Sequence, residues 1–176
     1  KAINCSINIS AALLLDRDFM AQCMQAVNES PTPNSQVTFE ITETASLENL
    51  DDAALITRQI SDTGVRISID DYGTGQSSLS YLRNFCAHEI KIDQSFIKSM
   101  LTNELDLVMV GSTVNLAHDM DLKVVAEGVE DGATLALLSD FGCDVAQGWH
   151  IGRPVDADSF TKAWIAEDNA AMAMAG

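Results

Sequence analysis

Residues 65–75 read Val-Arg-Ile-Ser-Ile-Asp-Asp-Tyr-Gly-Thr-Gly, an apolar, β-branched run that ends in two adjacent aspartates and a glycine-rich loop. A strand this apolar is typical of a sheet that is covered on both faces, and such sheets are mostly parallel. The segments between successive runs of this kind are long enough for the crossover connections that parallel neighbours require. The stretch therefore predicts a buried strand of a parallel α/β sheet, with carboxylates at its C-terminal end.

Similar short runs alternate with segments of helical spacing along the whole chain. Six strands are predicted, at Ala2–Ile9, Val37–Thr42, Val65–Asp70, Glu89–Asp93, Leu122–Ala126 and Cys143–Gln147. Helices are predicted at Leu13–Asn28, Leu47–Thr63, Ser77–Phe85, Glu104–Asp119, Gly132–Phe141 and Ala157–Asp168. The chain is thus a series of six β/α units.

Two architectures fit such a series, an open doubly wound sheet and part of a (β/α)8 barrel of the TIM type. No Gly-rich nucleotide-binding loop of the GxGxxG or GxxxxGK[ST] type follows a strand, which favours the barrel. Side chains that can bind a metal or a phosphate close the six strands in turn: Asn8, Glu40, Asp70 with Asp71, Lys91, Glu127 and Gln147. In a barrel these strand ends converge on one rim, where barrel active sites are built.

The length bears on this prediction, because a complete barrel has about 250 residues and eight strands. The chain has 176 residues. We expect residues 1–166 to form about six β/α units of one barrel domain, the rest of which would precede Lys1. Residues 167–176 are expected to form a flexible tail.

The charge balance argues against several classes of partner. With 10 Lys and Arg against 26 Asp and Glu, the net charge is −16, which disfavours binding to duplex nucleic acid or to an anionic membrane. No apolar run approaches the roughly 18 residues that span a bilayer. The four cysteines lie far apart, without the spacing of a zinc site or of a disulfide framework, so a reducing, cytoplasmic compartment is expected.

The strand ends offer oxygen ligands, which suit Mg²⁺ or Mn²⁺ better than Zn²⁺. Asp70 could bridge two cations while Asp71 binds the second one; the alternative is an Asp-rich turn that caps a helix. Lys91 lies inside a strand, where its charge is costly unless carboxylates or a phosphate surround it. It forms either a structural ion pair or the group that holds a water molecule or an anionic transition state. No role is assigned to the histidines, which have no ligand-like spacing: His88, His118 and His150.

Six motifs follow one another along the chain: Ile7-Asn8-Ile9-Ser10, Phe39-Glu40-Ile41-Thr42-Glu43, Asp70-Asp71-Tyr72-Gly73-Thr74-Gly75, Ile90-Lys91-Ile92-Asp93, Val125-Ala126-Glu127-Gly128-Val129-Glu130 and Ala146-Gln147-Gly148-Trp149. In this order they resemble the motifs of the EAL-domain cyclic-di-GMP phosphodiesterases. The resemblance implies a modified (β/α)8 barrel that hydrolyses cyclic di-GMP to 5′-pGpG with two divalent cations, Mg²⁺ or Mn²⁺, in bacterial signalling. The family's name-giving Glu-Ala-Leu motif does not occur in this chain, and we expect it before Lys1.

The resemblance also implies roles for individual residues. The first metal would be bound by Asn8, Glu40 and Asp70, and the second by Asp70 again, Asp71 and Glu127. The catalytic residues would be Glu127 and Lys91, which positions the attacking water. The edge of the site would be supported by Glu43, Glu130 and Gln147. The loop that couples metal binding to dimer contacts in the family corresponds to Gly73, Thr74, Gly75, Ser77 and Ser78.

Two other functions fit the sequence. A degenerate domain of the same family would bind cyclic di-GMP without cutting it and act as a receptor or signalling scaffold. An unrelated Mg²⁺-dependent barrel lyase or hydrolase would also match the ligand types. The resemblance further implies a homodimer, and a sensory or GGDEF-type domain upstream in a parent protein that the inner membrane could anchor. Residues 1–176 alone are expected to have little activity.

Overall fold

The computed structural model of the chain describes residues 3–42, 50–74, 82 and 85–165. These residues contain six β-strands: β1 Cys5–Ile9, β2 Val37–Thr42, β3 Arg66–Tyr72, β4 Glu89–Ile92, β5 Lys123–Glu127 and β6 Val145–Gln147. They also contain seven α-helices: α1 Ala11–Leu15, α2 Arg17–Glu29, α3 Leu50–Ser61, α4 Gln94–Ser99, α5 Glu104–Asp119, α6 Gly132–Asp140 and α7 Ala157–Phe160. A 3₁₀ turn, Asn34–Gln36, leads into β2, and a π-helical turn, Thr161–Ile165, follows α7.

All six strands are parallel, and each pairs with the next along the chain, from β1 to β6. An open doubly wound sheet reverses its strand order at one point, which places helices on both of its faces. An order without reversal, built from right-handed crossovers, places the helices on one face and curls the sheet into an arc. The predicted barrel-type α/β fold is confirmed as a half-barrel of six strands. The strand order excludes the alternative, an open doubly wound sheet.

The two faces of the sheet differ in chemistry, because successive residues of a strand point to opposite sides. On the convex face, residues such as Ile69 and its partner Ile90 are fully buried in the core formed with the helices. On the concave face the strands carry polar side chains, and four of these are buried: Thr38, Glu40, Ser68 and Lys91. The hydrophobic core thus lies between the convex face of the sheet and the helices. The polar side chains of the concave face could form a functional site.

The predicted helix Leu13–Asn28 is wrong in one respect, since the structure divides it at Asp16. Asp16 ends α1 and also caps α2, where its carboxylate accepts hydrogen bonds from Asp18 N at 3.1 Å and Phe19 N at 3.0 Å. Aspartate is a strong N-cap, and the extended backbone of a cap interrupts the single helix that the apolar spacing suggests.

Helix α4 is a second difference, because no helix is predicted in that segment. Asp93 caps it by accepting a hydrogen bond from Ser95 N at 3.0 Å. A helix of 6 residues is too short for a periodic signal, which is read over windows of about 11–18 residues. The helix matters for the site because it brings Gln94 and Lys98 against Gly128, directly after β5.

Several boundaries also shift. Strand β1 begins at Cys5 instead of Ala2, β3 continues through Tyr72, and β5 includes Glu127. The predicted helix Ala157–Asp168 becomes the short α7 and the π-helical turn. Two predictions lie wholly or mostly outside the described residues: the tail 167–176 and the helix Ser77–Phe85.

The cysteines and the membrane prediction can be compared with the structure directly. Four cysteines are free, as their spacing predicts: Cys5, Cys23, Cys86 and Cys143. Within the described segments, no helix combines the length and the apolar character that crossing a bilayer requires.

Candidate active site

Four charged side chains from four consecutive strands meet on the concave face, near the C-terminal ends of the strands. Glu40 comes from β2, Asp70 from β3, Lys91 from β4 and Glu127 from β5. Neighbouring parallel strands end at the same edge of a sheet, so side chains that are distant in sequence meet there. The structure therefore brings these four predicted site residues together.

Lys91 lies at the centre of the group, and its ammonium contacts all three carboxylates. Its Nζ lies 2.8 Å from Glu40 Oε2, 3.0 Å from Asp70 Oδ1 and 2.6 Å from Glu127 Oε1. Lys91 is only 4% exposed. A buried ammonium needs acceptors for its three protons, and three carboxylates meet that requirement.

These contacts also set the protonation states. Burial lowers the pKa of Lys91, but hydrogen bonds to Glu127, Glu40 and Asp70 outweigh burial and raise the pKa above its ordinary value. Burial raises the pKa of Glu127, and the Lys91 ammonium opposes this shift without cancelling it. Lys91 is therefore a cation at neutral pH. Three acidic side chains surround this single positive charge.

Asp71 joins the group because β3 carries a bulge at its C-terminal end. The register between β3 and β4 shifts by one residue between Ile69 and Tyr72. Asp71 has a φ of 55°, in the left-handed region that aspartate adopts more readily than most residues. A regular strand would send adjacent side chains to opposite faces, whereas the bulge lets the carboxylates of Asp70 and Asp71 approach the same point.

Asp70, Asp71 and Glu127 form a cluster that could hold metal ions. One carboxylate oxygen from each residue lies within 4.8 Å of the other two. In the part of the chain that the structure describes, no other His, Cys, Asp and Glu side chains form such a group of three. The donors are all oxygens on partly buried side chains, a chemistry that suits Mg²⁺ or Mn²⁺. The residues present thus fit the divalent cations that the sequence predicts.

Asn8 and Gln147 lie one strand beyond the buried group on either side. Asn8 in β1 is opposite Glu40, and Gln147 in β6 is opposite Glu127. Both side chains are exposed. Their backbone registers place them at the same edge as the group, at its two ends.

The remaining predicted residues lie in the loops that follow β3 and β5. Thr74 donates to Asp71 O from its N at 3.3 Å and from its Oγ1 at 2.9 Å, and Gly73 has a φ of 101°. Glu130 forms an ion pair with Lys98 at 2.9 Å. Four predicted site residues lie outside the described residues: Glu43, Gly75, Ser77 and Ser78.

The three histidines make structural contacts elsewhere. His88 Nδ1 accepts a hydrogen bond from Ile67 N at 3.1 Å, and His118 Nε2 lies 2.9 Å from Asp144 Oδ2. His150 N donates to Val129 O at 3.0 Å. None of them belongs to the carboxylate cluster of the described residues.

A cavity of about 630 Å³ opens beside Glu127. Gln94, Lys98 and Arg153 line it, and the sequence analysis missed all three. Their positions depend on the unpredicted helix α4 and on the loop after β6, so no local pattern indicates them. The one available signal for Lys98 is the acidic Glu130 that it pairs with, and this pairing is visible only in the folded chain.

Comparison with known proteins shows which family this chain is similar to. Residues 1–154 match the EAL domain family. The chain is 37% identical to the signaling protein YkoW of Bacillus subtilis over 158 residues, which are 90% of this chain and 20% of YkoW. It is 37% identical to the bifunctional diguanylate cyclase/cyclic di-GMP phosphodiesterase MucR of Pseudomonas aeruginosa over 155 residues, 88% of this chain and 23% of MucR. The chain thus spans less than a quarter of the length of these relatives.

Solved structures have the same fold. The MucR phosphodiesterase in complex with cyclic di-GMP matches with a TM-score of 0.85 at 36% identity, covering 89% of this chain and 64% of that one. Klebsiella pneumoniae BlrP1 in a complex with manganese and cyclic di-GMP matches with a TM-score of 0.79 at 28% identity, covering 86% and 39%. A calcium complex of BlrP1 with cyclic di-GMP also matches, with a TM-score of 0.76 at 28% identity over 83% and 37% of the two chains.

Replacing Lys91 by methionine should destabilise the fold strongly, because three carboxylates lose their common partner. Removing one side of a buried ion pair costs about 3–5 kcal/mol of the free energy of unfolding. The matched control is Lys98→Met, which removes a half-exposed pair with Glu130 and should cost about 1 kcal/mol or less. Urea unfolding of both variants in metal-free buffer measures the difference.

Addition of Mn²⁺ should recover part of the stability that Lys91→Met loses, because a divalent cation can replace the missing positive charge. Lys98→Met should show no such differential recovery. Equal stabilities for the two variants would contradict the central position of Lys91 in the group.

Proposed function

The chain belongs to the EAL domain family, and we propose that it hydrolyses cyclic di-GMP to 5′-pGpG. One observation carries the proposal, the cluster of Asp70, Asp71 and Glu127 next to Lys91. Two comparisons support it: MucR is named a cyclic di-GMP phosphodiesterase, and the superposed structures contain cyclic di-GMP.

The proposed cofactors are two divalent cations, Mg²⁺ or Mn²⁺. Asn8, Glu40 and Asp70 would hold the first, and Asp70, Asp71 and Glu127 would hold the second. When bound, such ions act as Lewis acids on a phosphoryl oxygen and lower the pKa of a bound water. Support comes from the oxygen-only donor set and from the manganese in the BlrP1 complex.

Lys91 and Glu127 are the proposed catalytic residues. With the carboxylates engaged by cations, one N–H of the Lys91 ammonium would turn from its carboxylate to the oxygen of the attacking water and direct that oxygen at phosphorus. Glu127 Oε1, 2.6 Å from Lys91 Nζ, would accept the proton that the water loses. A new P–O bond would form as the P–O3′ bond breaks, the leaving 3′ oxygen would take a proton from solvent, and Glu127 would return to solvent the proton that it accepted, so the phosphate stays on the 5′ oxygen.

Residues at the edge would support these roles. We propose that Gln147 and Glu130 hold the side of the site at which β5 and β6 end, and that Glu43 fixes the loop after Asp71. The loop residues would link metal binding to a homodimer contact: Gly73, Thr74, Gly75, Ser77 and Ser78. The free cysteines suit a reducing compartment, so we propose that the domain works in the cytoplasm, within a protein that also carries a sensory or GGDEF-type domain.

The competing function within the family is a receptor that binds cyclic di-GMP without cutting it. Loss of a metal-binding carboxylate or of the lysine would favour that function. Asp70, Asp71, Lys91 and Glu127 are all present and assembled, which favours catalysis. The two functions differ in one measurable outcome, the appearance of 5′-pGpG.

Hydrolysis of cyclic di-GMP by the protein at its natural length should require Mg²⁺ or Mn²⁺. Calcium relaxes the octahedral geometry, and a misplacement of about 1 Å slows an in-line attack by on the order of 10²-fold. Chromatography of the nucleotides after incubation with each cation, or with excess chelator, measures this directly. Full turnover in chelator would refute the metal mechanism, and binding without product in every cation would establish the receptor.

Asp71→Asn separates a catalytic aspartate from one that merely stabilises a turn. Asparagine caps turns and helices about as well as aspartate, so thermal unfolding should change little. The loss of one negative charge from the metal cluster should lower kcat by on the order of 10²-fold or more. The matched control is Asp16→Asn, at the cap of α2, which should leave kcat unchanged. Normal turnover in Asp71→Asn would return this residue to a structural role.

A further inference from the structure

We propose that Ser68 is a positioning residue that fixes Glu40 when the site holds cations, an inference that rests on the proposed two-cation site. Ser68 lies in β3 on the concave face, two residues before Asp70, and it is fully buried. Its Oγ has no hydrogen-bond partner among the residues that the structure describes. A hydroxyl that is removed from water without a partner costs stability, which indicates that it finds its partner in another state of the site.

The ion pair between Lys91 and Glu40 crosses the strand that carries Ser68. Lys91 comes from β4 and Glu40 from β2, on either side of β3, and their charged groups meet at 2.8 Å. The register places Ser68 directly opposite Glu40 in β2 and opposite Glu89 in β4. The crossing ion pair and the two neighbouring strands account for the complete burial of the Ser68 hydroxyl.

Two carboxylates therefore flank Ser68, and they have different partners. Glu89 pairs with Arg66, with 3.6 Å between Glu89 Oε2 and Arg66 Nη2, and neither residue belongs to the proposed metal site. Glu40 pairs with Lys91, whose ammonium would turn to the attacking water in the proposed reaction. Glu40 is thus the carboxylate that would need a new hydrogen-bond donor in the cation-bound state.

The inferred role is an exchange of hydrogen-bond partners at Glu40. Without cations, Lys91 donates to Glu40, and the Ser68 hydroxyl has no acceptor. When Glu40 holds a cation, the Ser68 hydroxyl replaces the ammonium as the donor to this carboxylate. Neighbouring strands lie only about 4.8 Å apart, and a serine hydroxyl rotates to meet its acceptor, so this exchange needs no movement of the backbone. Carboxylates that bind a metal are usually fixed by such a hydrogen bond.

The first test compares thermal unfolding of Ser68→Ala and of the unsubstituted protein, both at natural length and in metal-free buffer. Because the hydroxyl has no partner in this state, its removal should raise the unfolding midpoint of this domain by about 2–4 °C. The matched control is Thr57→Val, since Thr57 is also fully buried but its Oγ1 donates to Ala54 O at 3.0 Å. This variant loses a hydrogen bond that is already made and should have a lower midpoint.

The second test measures Mn²⁺ affinity by isothermal titration calorimetry, where Ser68→Ala should change in the opposite direction. It should bind at least one of the two ions about 10- to 100-fold more weakly, whereas Thr57→Val should bind both normally. The Mn²⁺ concentration that gives half-maximal hydrolysis should rise to the same extent in Ser68→Ala, with an unchanged KM for cyclic di-GMP.

A lower metal-free midpoint in Ser68→Ala, or an unchanged Mn²⁺ affinity, would overturn the positioning role and leave the proposed function intact. Absence of Mn²⁺ binding to the unsubstituted protein would overturn both this role and the two-cation site.

Discussion

The site depends on the contacts that the Lys91 ammonium makes with three carboxylates. It joins β4 to β2, β3 and β5 through one carboxylate from each, at distances of 2.6–3.0 Å. Without that charge, three acidic side chains would face one another on the inside of the arc at a large electrostatic cost. With it, the group is held together but keeps an excess of negative charge. Such a site could hold cations, which would allow a chain with a net charge of −16 to bind the anionic substrate that we propose.

The bulge in β3 adds a second constraint. A regular strand could supply one carboxylate to the concave face at this level, because its neighbours point into the core. The extra residue, with Asp71 at a positive φ, brings a second carboxylate to the same place. The bulge thus turns a single acidic strand end into a cluster with Glu127. The cost of the unusual backbone is local, and the proposed gain is a site for two cations instead of one.

The sequence predicts the strands and their polar ends well, because each strand is a β-branched run that one charged or amide side chain terminates. Glu40 and Glu127 are found at the predicted edge for this reason. It does not predict that Lys91 contacts three carboxylates, since that depends on the register between four strands. The break at Asp16 and the short helix α4 are missed because cap chemistry and tertiary packing override periodicity there. The contact between Trp149 and Arg153 lies in a loop, where there is no hydrophobic periodicity to indicate it.

We propose that Asp70, Asp71 and Glu127, with Glu40 and Asn8, form a centre for two divalent cations. Electron paramagnetic resonance of the protein titrated with Mn²⁺ detects such a pair, because two ions about 4 Å apart couple magnetically. We expect two Mn²⁺ per chain with a coupled spectrum, and a single uncoupled Mn²⁺ in Asp71→Asn. An uncoupled spectrum in the unsubstituted protein, identical to that of Asp71→Asn, would contradict it.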